Sequence, residues 1–153
     1  MEELKAKDQI RELMARYVRY ADEKNWTDLA SLFTPEGSFT PLNVNGQPLV
    51  QMQGRQQIAQ TILEAVGQAT AIHHLFSYEI TLDTAEQATG IFSMEDQLIH
   101  NQDNSTPIHA SSVIPAFKTM HGFGHYHANF IKIGAAWYIE KLVQTRIKLD
   151  FTY

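Results

Sequence analysis

The chain has 153 residues, 44% of them apolar and 19% charged, which is the composition of a globular protein with room for one hydrophobic core. We therefore predict a single domain over residues 1–153. The formal charge of −5, with no clustered basic stripe, argues against nucleic acid or an anionic membrane as a partner. Because no cysteine is present, disulfides and thiolate metal sites are excluded. The N-terminal residues lack the apolar core of a signal peptide, so we expect a cytoplasmic protein.

The first predicted element is a helix from Asp8 to about Lys24. One apolar stripe runs along it at helical spacing, formed by Ile10, Leu13, Met14, Tyr17, Val18 and Ala21. Asp22 lies at the border of this stripe near the C-terminus of the helix, where the helix dipole disfavours a carboxylate. It is either an exposed residue of the helix end or the group that orients another polar side chain.

A second helix and a short hairpin are predicted next. Asn25 has the position of a helix cap, and the helix it opens should end at Pro35-Glu36-Gly37. The side chains expected to point inward from this helix are Leu29, Leu32 and Phe33. Segments 38–43 and 48–53 then predict two short strands joined by a turn at Asn45-Gly46, and Pro41 suggests an edge strand.

A third helix is predicted over Arg55 to Val66, closed by Gly67. Its expected buried side chains are Ile58, Ile62, Leu63 and Val66. After residue 70 the hydrophobic period changes from 3.6 to 2, which predicts long strands over 71–83, 87–100, 122–133 and 137–151, the last two joined in a hairpin at Gly134-Ala135. The stretch between His100 and His121 is expected to be a long connection, in part helical or a lid.

Helices followed by long antiparallel strands are typical of an α+β domain, with about three N-terminal helices packed on one face of a strongly curved, mostly antiparallel sheet. Such a sheet encloses a pocket. One strand row of the pattern contains Ala88, Gly90, Phe92, Met94, Asp96, Leu98 and His100, so Asp96 should project among apolar side chains. A buried carboxylate requires a partner or a raised pKa. The alternatives are a structural ion pair or a register that differs by one residue.

Basic side chains on the strands are the other candidate polar groups. Arg146 shares its parity with Tyr138, Leu142 and Gln144, a mixed row that by itself indicates little. Adjacent strand residues face opposite sides, so at most one of His73 and His74 faces the pocket, and a lone strand histidine is more often structural than a base.

A metal site is a further hypothesis for the histidines on the following strand. His125 and His127 share one face there, but no third ligand follows at a suitable spacing, so we predict no metal. These two residues and His121 are expected to line the pocket or a subunit contact.

Taken together these segments resemble the SnoaL-like branch of the NTF2-like superfamily over nearly the whole chain. The opening run from Ile10 to Trp26 is similar to the first helix of scytalone dehydratase, hexachlorocyclohexane dehydrochlorinase and bile-acid 7α-dehydratase, most of all the last. Further similarity lies in Ile72-His73, 79–83, 88–90, 95–99, Trp137-Tyr138-Ile139 and Arg146-Ile147. The resemblance implies a cone-shaped half-barrel fold. It also implies that the active-site tyrosine, aspartate, histidine, second aspartate and arginine of the bile-acid enzyme fall on Tyr17, Asp22, His73, Asp96 and Arg146.

From these positions we expect a cofactor-independent lyase or isomerase, similar to a dehydratase, that acts on a small apolar hydroxylated or carbonyl compound. His73 would move the proton, and Asp22 would fix its tautomer. Tyr17 would contact a substrate oxygen, while Asp96 or Arg146 would serve a leaving hydroxyl or an anionic oxygen. Substrate-binding roles are predicted for Trp26, Phe92, Met94, His125 and His127.

Neither a metal nor a nucleotide cofactor is indicated, because the sequence has no glycine-rich phosphate loop. The alternatives are a non-catalytic protein that carries a small molecule in the same pocket, and an assembly module. A homo-oligomer, either a trimer or a dimer, is expected, because apolar residues on both parities of the last strands suit a subunit interface.

Overall fold

The computed structural model describes residues 1–101 and 116–153 and confirms the predicted α+β class. The expected connection between His100 and His121 falls largely on residues 102–115, outside the described residues. In chain order the elements are α1 Glu2–Glu23, α2 Trp26–Ser31, β1 Phe33–Pro41, β2 Met52–Gln53, α3 Arg55–Val66, β3 Thr70–Leu82, β4 Gln87–Ile99, β5 Thr119–Ile133 and β6 Ala136–Thr152.

The strands form one curved six-stranded sheet in the order β2-β1-β6-β5-β4-β3. Every neighbouring pair is antiparallel except β1 and β6, which are parallel. Helix α1 packs against β3, and α2 packs against α3. The alternation of buried residues along β4 and β5 places one row of apolar side chains under the helices, where they form the core with the apolar stripe of α1. The face of the sheet under the helices is the inner face, and the opposite one is the outer face.

Helix α1 is longer than its apolar stripe predicts, because it begins at Glu2 instead of Asp8. Its first turns are exposed and therefore carry no hydrophobic periodicity. Glu2 and Glu3 lie in the first turn, where negative charge suits the helix dipole, and Glu3 pairs with Lys7 at 3.2 Å. The helix ends at Lys24, whose φ of 57° breaks the helical path.

The region after α2 differs from the prediction. Asn25 caps the helix as expected, but Phe33 already belongs to β1, so Pro35-Glu36-Gly37 lies within the strand. This is possible because the pairing of β1 with β6 is interrupted between Phe33 and Ser38, where the missing N–H of Pro35 breaks no ladder. The edge prediction for the strand of Pro41 was also wrong, because the short β2 pairs outside β1.

Helix α3 and the last hairpin lie where the sequence predicts them. The helix spans Arg55–Val66 and is closed by Gly67, although Leu63, predicted to be buried, is 47% exposed. The turn between β5 and β6 contains Gly134 with a φ of 64°, a conformation that favours glycine.

A β-bulge in β6 changes which of its residues face inward. The pairing passes from Asn129 opposite Lys141 to Phe130 opposite Ile139, which leaves Glu140 as an extra residue. Trp137 and Ile139 therefore point inward before the bulge, and Leu142 and Gln144 point inward after it. The prediction that Tyr138 and Arg146 share one face was therefore wrong. Arg146 lines the cavity together with Gln144, and Tyr138 does not.

None of the helices in the described ranges has the length and hydropathy of a membrane span. The cytoplasmic location stays a prediction.

Candidate active site

A cavity of about 350 Å³ lies between the helices and the inner face of the sheet. This volume falls within the range of small-molecule sites. Most of the wall is apolar, and the polar side chains on it are few. The lining residues include Tyr17, Ala21, Trp26, Leu29, Phe39, Met52, Thr61, Ile62, Glu64, Val66, His73, Asp96, Leu98, Met120, Tyr126, Gln144, Arg146 and Leu149. Of the predicted catalytic residues and Trp26, the cavity wall contains Tyr17, Trp26, His73, Asp96 and Arg146, whereas Asp22 is not a lining residue.

The end of α1 and the start of β3 bring a carboxylate and an imidazole together. His73 Nδ1 lies 2.9 Å from Asp22 Oδ1. Because an ionised carboxylate can only accept, Nδ1–H is the donor, which leaves Nε2 as the proton-accepting nitrogen of a neutral imidazole. The imidazole is 12% exposed and the carboxylate 39% exposed. Asp22 at the end of α1 is therefore both partly exposed and hydrogen-bonded to another polar side chain.

The buried carboxylate of β4 has the partner that its position requires. Arg146 donates two hydrogen bonds to Asp96, Nη1 to Oδ1 at 2.6 Å and Nη2 to Oδ2 at 2.9 Å, and both side chains are at most 7% exposed. Burial alone would lower the pKa of Arg146, but the hydrogen bonds and negative charge of Asp96 raise it. Both oxygens of Asp96 therefore accept from Arg146, an arrangement that suits holding the guanidinium better than donating to a leaving hydroxyl.

Gly122 leaves room for this ion pair, a role that was not predicted. It lies opposite Asp96 in the pairing of β4 with β5. A Cβ at this position would collide with Nη1 of Arg146 and lie 2.9 Å from Oδ1 of Asp96. A glycine inside a strand is a sign of such a close approach, and this signal was present in the sequence.

Two buried phenols meet on the cavity wall. Tyr17 from α1 and Tyr126 from β5 are 3% and 1% exposed, and their rings meet edge to face with centroids 5.5 Å apart. Burial raises the pKa of both phenols, and the negative charge of Asp96 raises both further. Both are therefore neutral O–H donors at physiological pH. Tyr126 was missed, although it shares the inward parity of Met120, Ala128 and Phe130.

Two of the predicted substrate-binding residues lie behind the cavity wall instead of on it. Phe92 packs edge to face on Phe130 at 6.2 Å. The Met94 sulfur lies 3.7 Å from Gln144 Nε2 and 4.0 Å from Arg146 Nη1. Both side chains are 2% exposed, and neither is among the lining residues. Met94 thus contacts Gln144 and Arg146 from behind the wall, while Phe92 packs in the core.

The prediction that His125 and His127 bind a ligand in this cavity was wrong. The alternation of β5 turns Gly124, Tyr126 and Ala128 inward, so both histidines lie on the outer face. His127 is hydrogen-bonded to Thr145 Oγ1 at 3.2 Å. Burial, and then the neighbouring His125, lower its pKa. The alternative role in a subunit contact is compatible with this face.

The outer face carries an acid–imidazole cluster of its own, formed by His74, Glu95 and His121. His121 Nε2–H donates to Glu95 Oε2 at 2.6 Å, and His74 Nδ1 lies 3.5 Å from Oε1. The hydrogen bond from His121 lowers the pKa of Glu95, and His74 adds to the effect. Over residues 1–101 and 116–153, no group of three His, Asp or Glu side chains is arranged as a metal site.

Comparisons with known proteins agree with this architecture. Residues 2–143 match the family described as SnoaL-like domain. No curated protein sequence gives a match. The fold is similar to a candidate scytalone dehydratase from Novosphingobium aromaticivorans, at 15% identity and a TM-score of 0.79, covering 99% of this chain and 91% of that one. It is also similar to a type 3 hexachlorocyclohexane dehydrochlorinase, LinA, from Novosphingobium barchaimii, at 13% identity and a TM-score of 0.74, covering 98% and 92%.

A third structure is described as an NTF2-like protein with a cystatin-like fold, also from Novosphingobium aromaticivorans. It is 20% identical, with a TM-score of 0.70, and the match covers 95% of this chain and 84% of that one. At these identities the likeness concerns the fold, and it confirms the predicted NTF2-like half-barrel. The expected similarity to bile-acid 7α-dehydratase stays a prediction.

Proposed function

The chain belongs to the SnoaL-like domain family of the NTF2-like superfamily, and from this premise we propose that it is a cofactor-independent lyase or isomerase resembling a dehydratase. The observation that carries the proposal is the 2.9 Å contact of Asp22 with His73, an imidazole that lines the wall of an apolar cavity. The similar structures add support, since a dehydratase and a dehydrochlorinase are named for eliminations of water and of hydrogen chloride.

The proposed reaction begins with removal of a proton from carbon beside a carbonyl group. Asp22 holds Nδ1–H of His73, so Nε2 takes the substrate proton, and the carboxylate stabilises the imidazolium that forms. The electrons of the broken C–H bond move to the carbonyl oxygen, to which Tyr17 donates a hydrogen bond. The enolate then expels the β-hydroxyl group, which takes the proton from His73 and leaves as water. The product is a conjugated enone.

The cavity favours a substrate of limited size and little charge. Its volume of about 350 Å³ suits a compound of two to four fused rings, and the predominantly apolar wall favours a hydrophobic skeleton. The guanidinium of Arg146 already donates two hydrogen bonds to the carboxylate of Asp96, so its positive charge is neutralised before any ligand binds.

The test is a turnover assay on β-hydroxy ketones with bicyclic, tricyclic and steroid skeletons. The absorbance of the enone product measures the rate. His73→Gln and Asp22→Asn each remove one half of the dyad, and we expect each to lower kcat by about 10²- to 10⁴-fold. His74→Gln is the matched control, because the adjacent imidazole also contacts a carboxylate but faces outward. If His73→Gln and Asp22→Asn keep full turnover while correctly folded, the proposal is wrong.

A non-catalytic carrier with the same pocket is the second candidate function. It would be favoured by an acid and an imidazole too far apart for a hydrogen bond, whereas the atoms here are 2.9 Å apart. The carrier predicts tight retention of a hydrophobic ligand with no conversion by the wild-type protein. The same assay, run with detection of bound ligand, distinguishes the two.

We also propose that the protein forms a homo-oligomer, a dimer or a trimer, through the outer face of the sheet. Ile91 and Phe123 are 37% and 36% exposed there, next to His125 and His127. Exposed apolar side chains on a sheet face favour contact with a second copy. Sedimentation equilibrium measures the assembly directly, and a monomer at micromolar concentration would contradict it.

A further inference from the structure

We infer that Tyr126 is a second catalytic phenol, and that Tyr17 and Tyr126 together bind the carbonyl oxygen of the substrate and stabilise the negative charge it acquires. This inference rests on the proposed function and assigns to it a residue that the sequence did not single out. It also narrows the substrate class to neutral ketones whose enolate oxygen can accept two hydrogen bonds.

The two phenols lie side by side on the cavity wall. They come from different elements, α1 and β5, yet both line the same cavity, and their ring centroids are 5.5 Å apart. Tyr17 is held by edge-to-face contacts with Phe33 at 6.2 Å and Phe39 at 6.5 Å. Rings packed this firmly present their hydroxyl groups without further loss of side-chain freedom when a ligand binds.

The surroundings of the two phenols keep both of them protonated. Both have raised pKa values, chiefly because of burial, so both remain protonated donors. Asp96 repels a second negative charge nearby, but Arg146 compensates it through two hydrogen bonds. The ion pair of Asp96 and Arg146 has no net charge, and two O–H donors lie beside it. These surroundings suit an oxygen that is uncharged in the ketone and becomes negative during the reaction.

The phenols and the proposed base share one cavity. Tyr17, Tyr126 and His73 all line its wall, although they come from three different elements, α1, β5 and β3. A single ketone bound in this cavity therefore lies against both the two phenols and the imidazole.

The test uses a stable mimic of an enolate, a substituted 2-naphthol whose pKa in water is near neutrality. Its affinity and its ionisation in the cavity are measured by absorbance for the wild type, Tyr17→Phe and Tyr126→Phe. We expect each replacement to weaken naphtholate binding about 10- to 100-fold, as for loss of one hydrogen bond to a charged group. Each should also raise the pH at which the bound naphthol ionises. Tyr138→Phe, which removes a hydroxyl outside the cavity, is the control and should change neither value.

A methylnaphthalene of the same size separates hydrogen bonding from packing. Its affinity should be the same in the wild type and in Tyr126→Phe, because the phenyl ring is kept. The inference is overturned if the wild type does not bind the naphtholate, if Tyr126→Phe binds it as tightly as the wild type, or if both ligands lose affinity equally. Because these measurements involve no turnover, they report on the phenol pair alone, and a failure of the proposed dyad in the turnover assay can be told apart from a failure of the phenol pair.

Discussion

The two faces of the central sheet carry the same chemistry in different surroundings. In the pairing of β3 with β4, His73 lies opposite Asp96 and His74 lies opposite Glu95. Each face of the sheet therefore carries one histidine and one carboxylate at this place. The inner imidazole contacts Asp22 at 2.9 Å, and the outer carboxylate contacts His121 at 2.6 Å. A short contact between an acid and an imidazole therefore does not by itself mark a catalytic site.

The two faces differ in how far their imidazoles are exposed to solvent. The His73 imidazole is 12% exposed and lies on the cavity wall, whereas the imidazoles of His74 and His121 are 58% and 41% exposed on the outer face. Water and salt screen the outer cluster, while the inner groups act on whatever occupies the cavity.

The largest effect is expected for the stability of Asp96→Ala, compared with that of Glu95→Ala. Asp96→Ala leaves the guanidinium of Arg146 buried without its partner, which should lower the free energy of unfolding by about 3–5 kcal/mol. Glu95→Ala should lower it much less, because the partners of Glu95 are exposed imidazoles. Urea denaturation followed by circular dichroism measures both. Equal losses in the two variants would mean that burial does not set the two faces apart.

Gly122→Ala is expected to be next in size, at about 1–3 kcal/mol, because the added methyl group collides with the ion pair. The same change in a protein that already carries Asp96→Ala and Arg146→Met should cost less, since both colliding atoms are gone. Urea midpoints of the four proteins in this cycle give the coupling. If Gly122→Ala lowers the free energy of unfolding equally with and without the ion pair, Gly122 is required for another reason.

A smaller effect is expected on the outer face at acid pH. The pKa of Glu95 is lowered from 4.5 by its hydrogen bond from His121, so the folded protein holds this proton less tightly than the unfolded chain. Its contribution to stability is therefore complete above pH 4.5 and is lost as the pH falls through the lower folded value. Thermal unfolding of the wild type and Glu95→Gln from neutral pH downward checks this. An equally steep acid loss in both proteins would assign it to other groups.

The smallest effect is expected for the histidines that were predicted to bind substrate. His125→Ala and His127→Ala should leave the affinity for the methylnaphthalene probe within about twofold of wild type, because both side chains lie outside the cavity. Trp26→Ala, which removes a lining ring, is the comparison and should weaken binding clearly. Fluorescence or calorimetric titration measures the affinities. A large loss in either histidine variant would restore the sequence-based prediction.

Local patterns predicted those parts of the fold that depend on a single element. The bounds of α3, the hairpin at Gly134 and the inward row of β4 follow from residues that are close in sequence. The inward position of Asp96 and its need for a partner were therefore predictable. The partner itself depends on how β6 is aligned with β5.

The parts that were missed depend on neighbouring strands. The bulge at Glu140 reverses the parity of β6, and it is defined only by its pairing with Asn129 and Phe130. Nothing in the sequence of β6 alone indicates it. On β5 the alternation predicts either Tyr126 or its two flanking histidines on the inner face, and the choice made from their chemistry was wrong. Identifying the inner face required the packing of the helices against the sheet.

The most direct measurement of the proposed chemistry is hydrogen exchange at carbon. A bicyclic ketone without a leaving group is incubated with the protein in D₂O, and the loss of the proton beside the carbonyl is followed by NMR. The wild type and His74→Gln should accelerate the exchange to the same extent, while His73→Gln should slow it by about 10²-fold or more. Exchange in His73→Gln at the wild-type rate would contradict a role for this imidazole as the base.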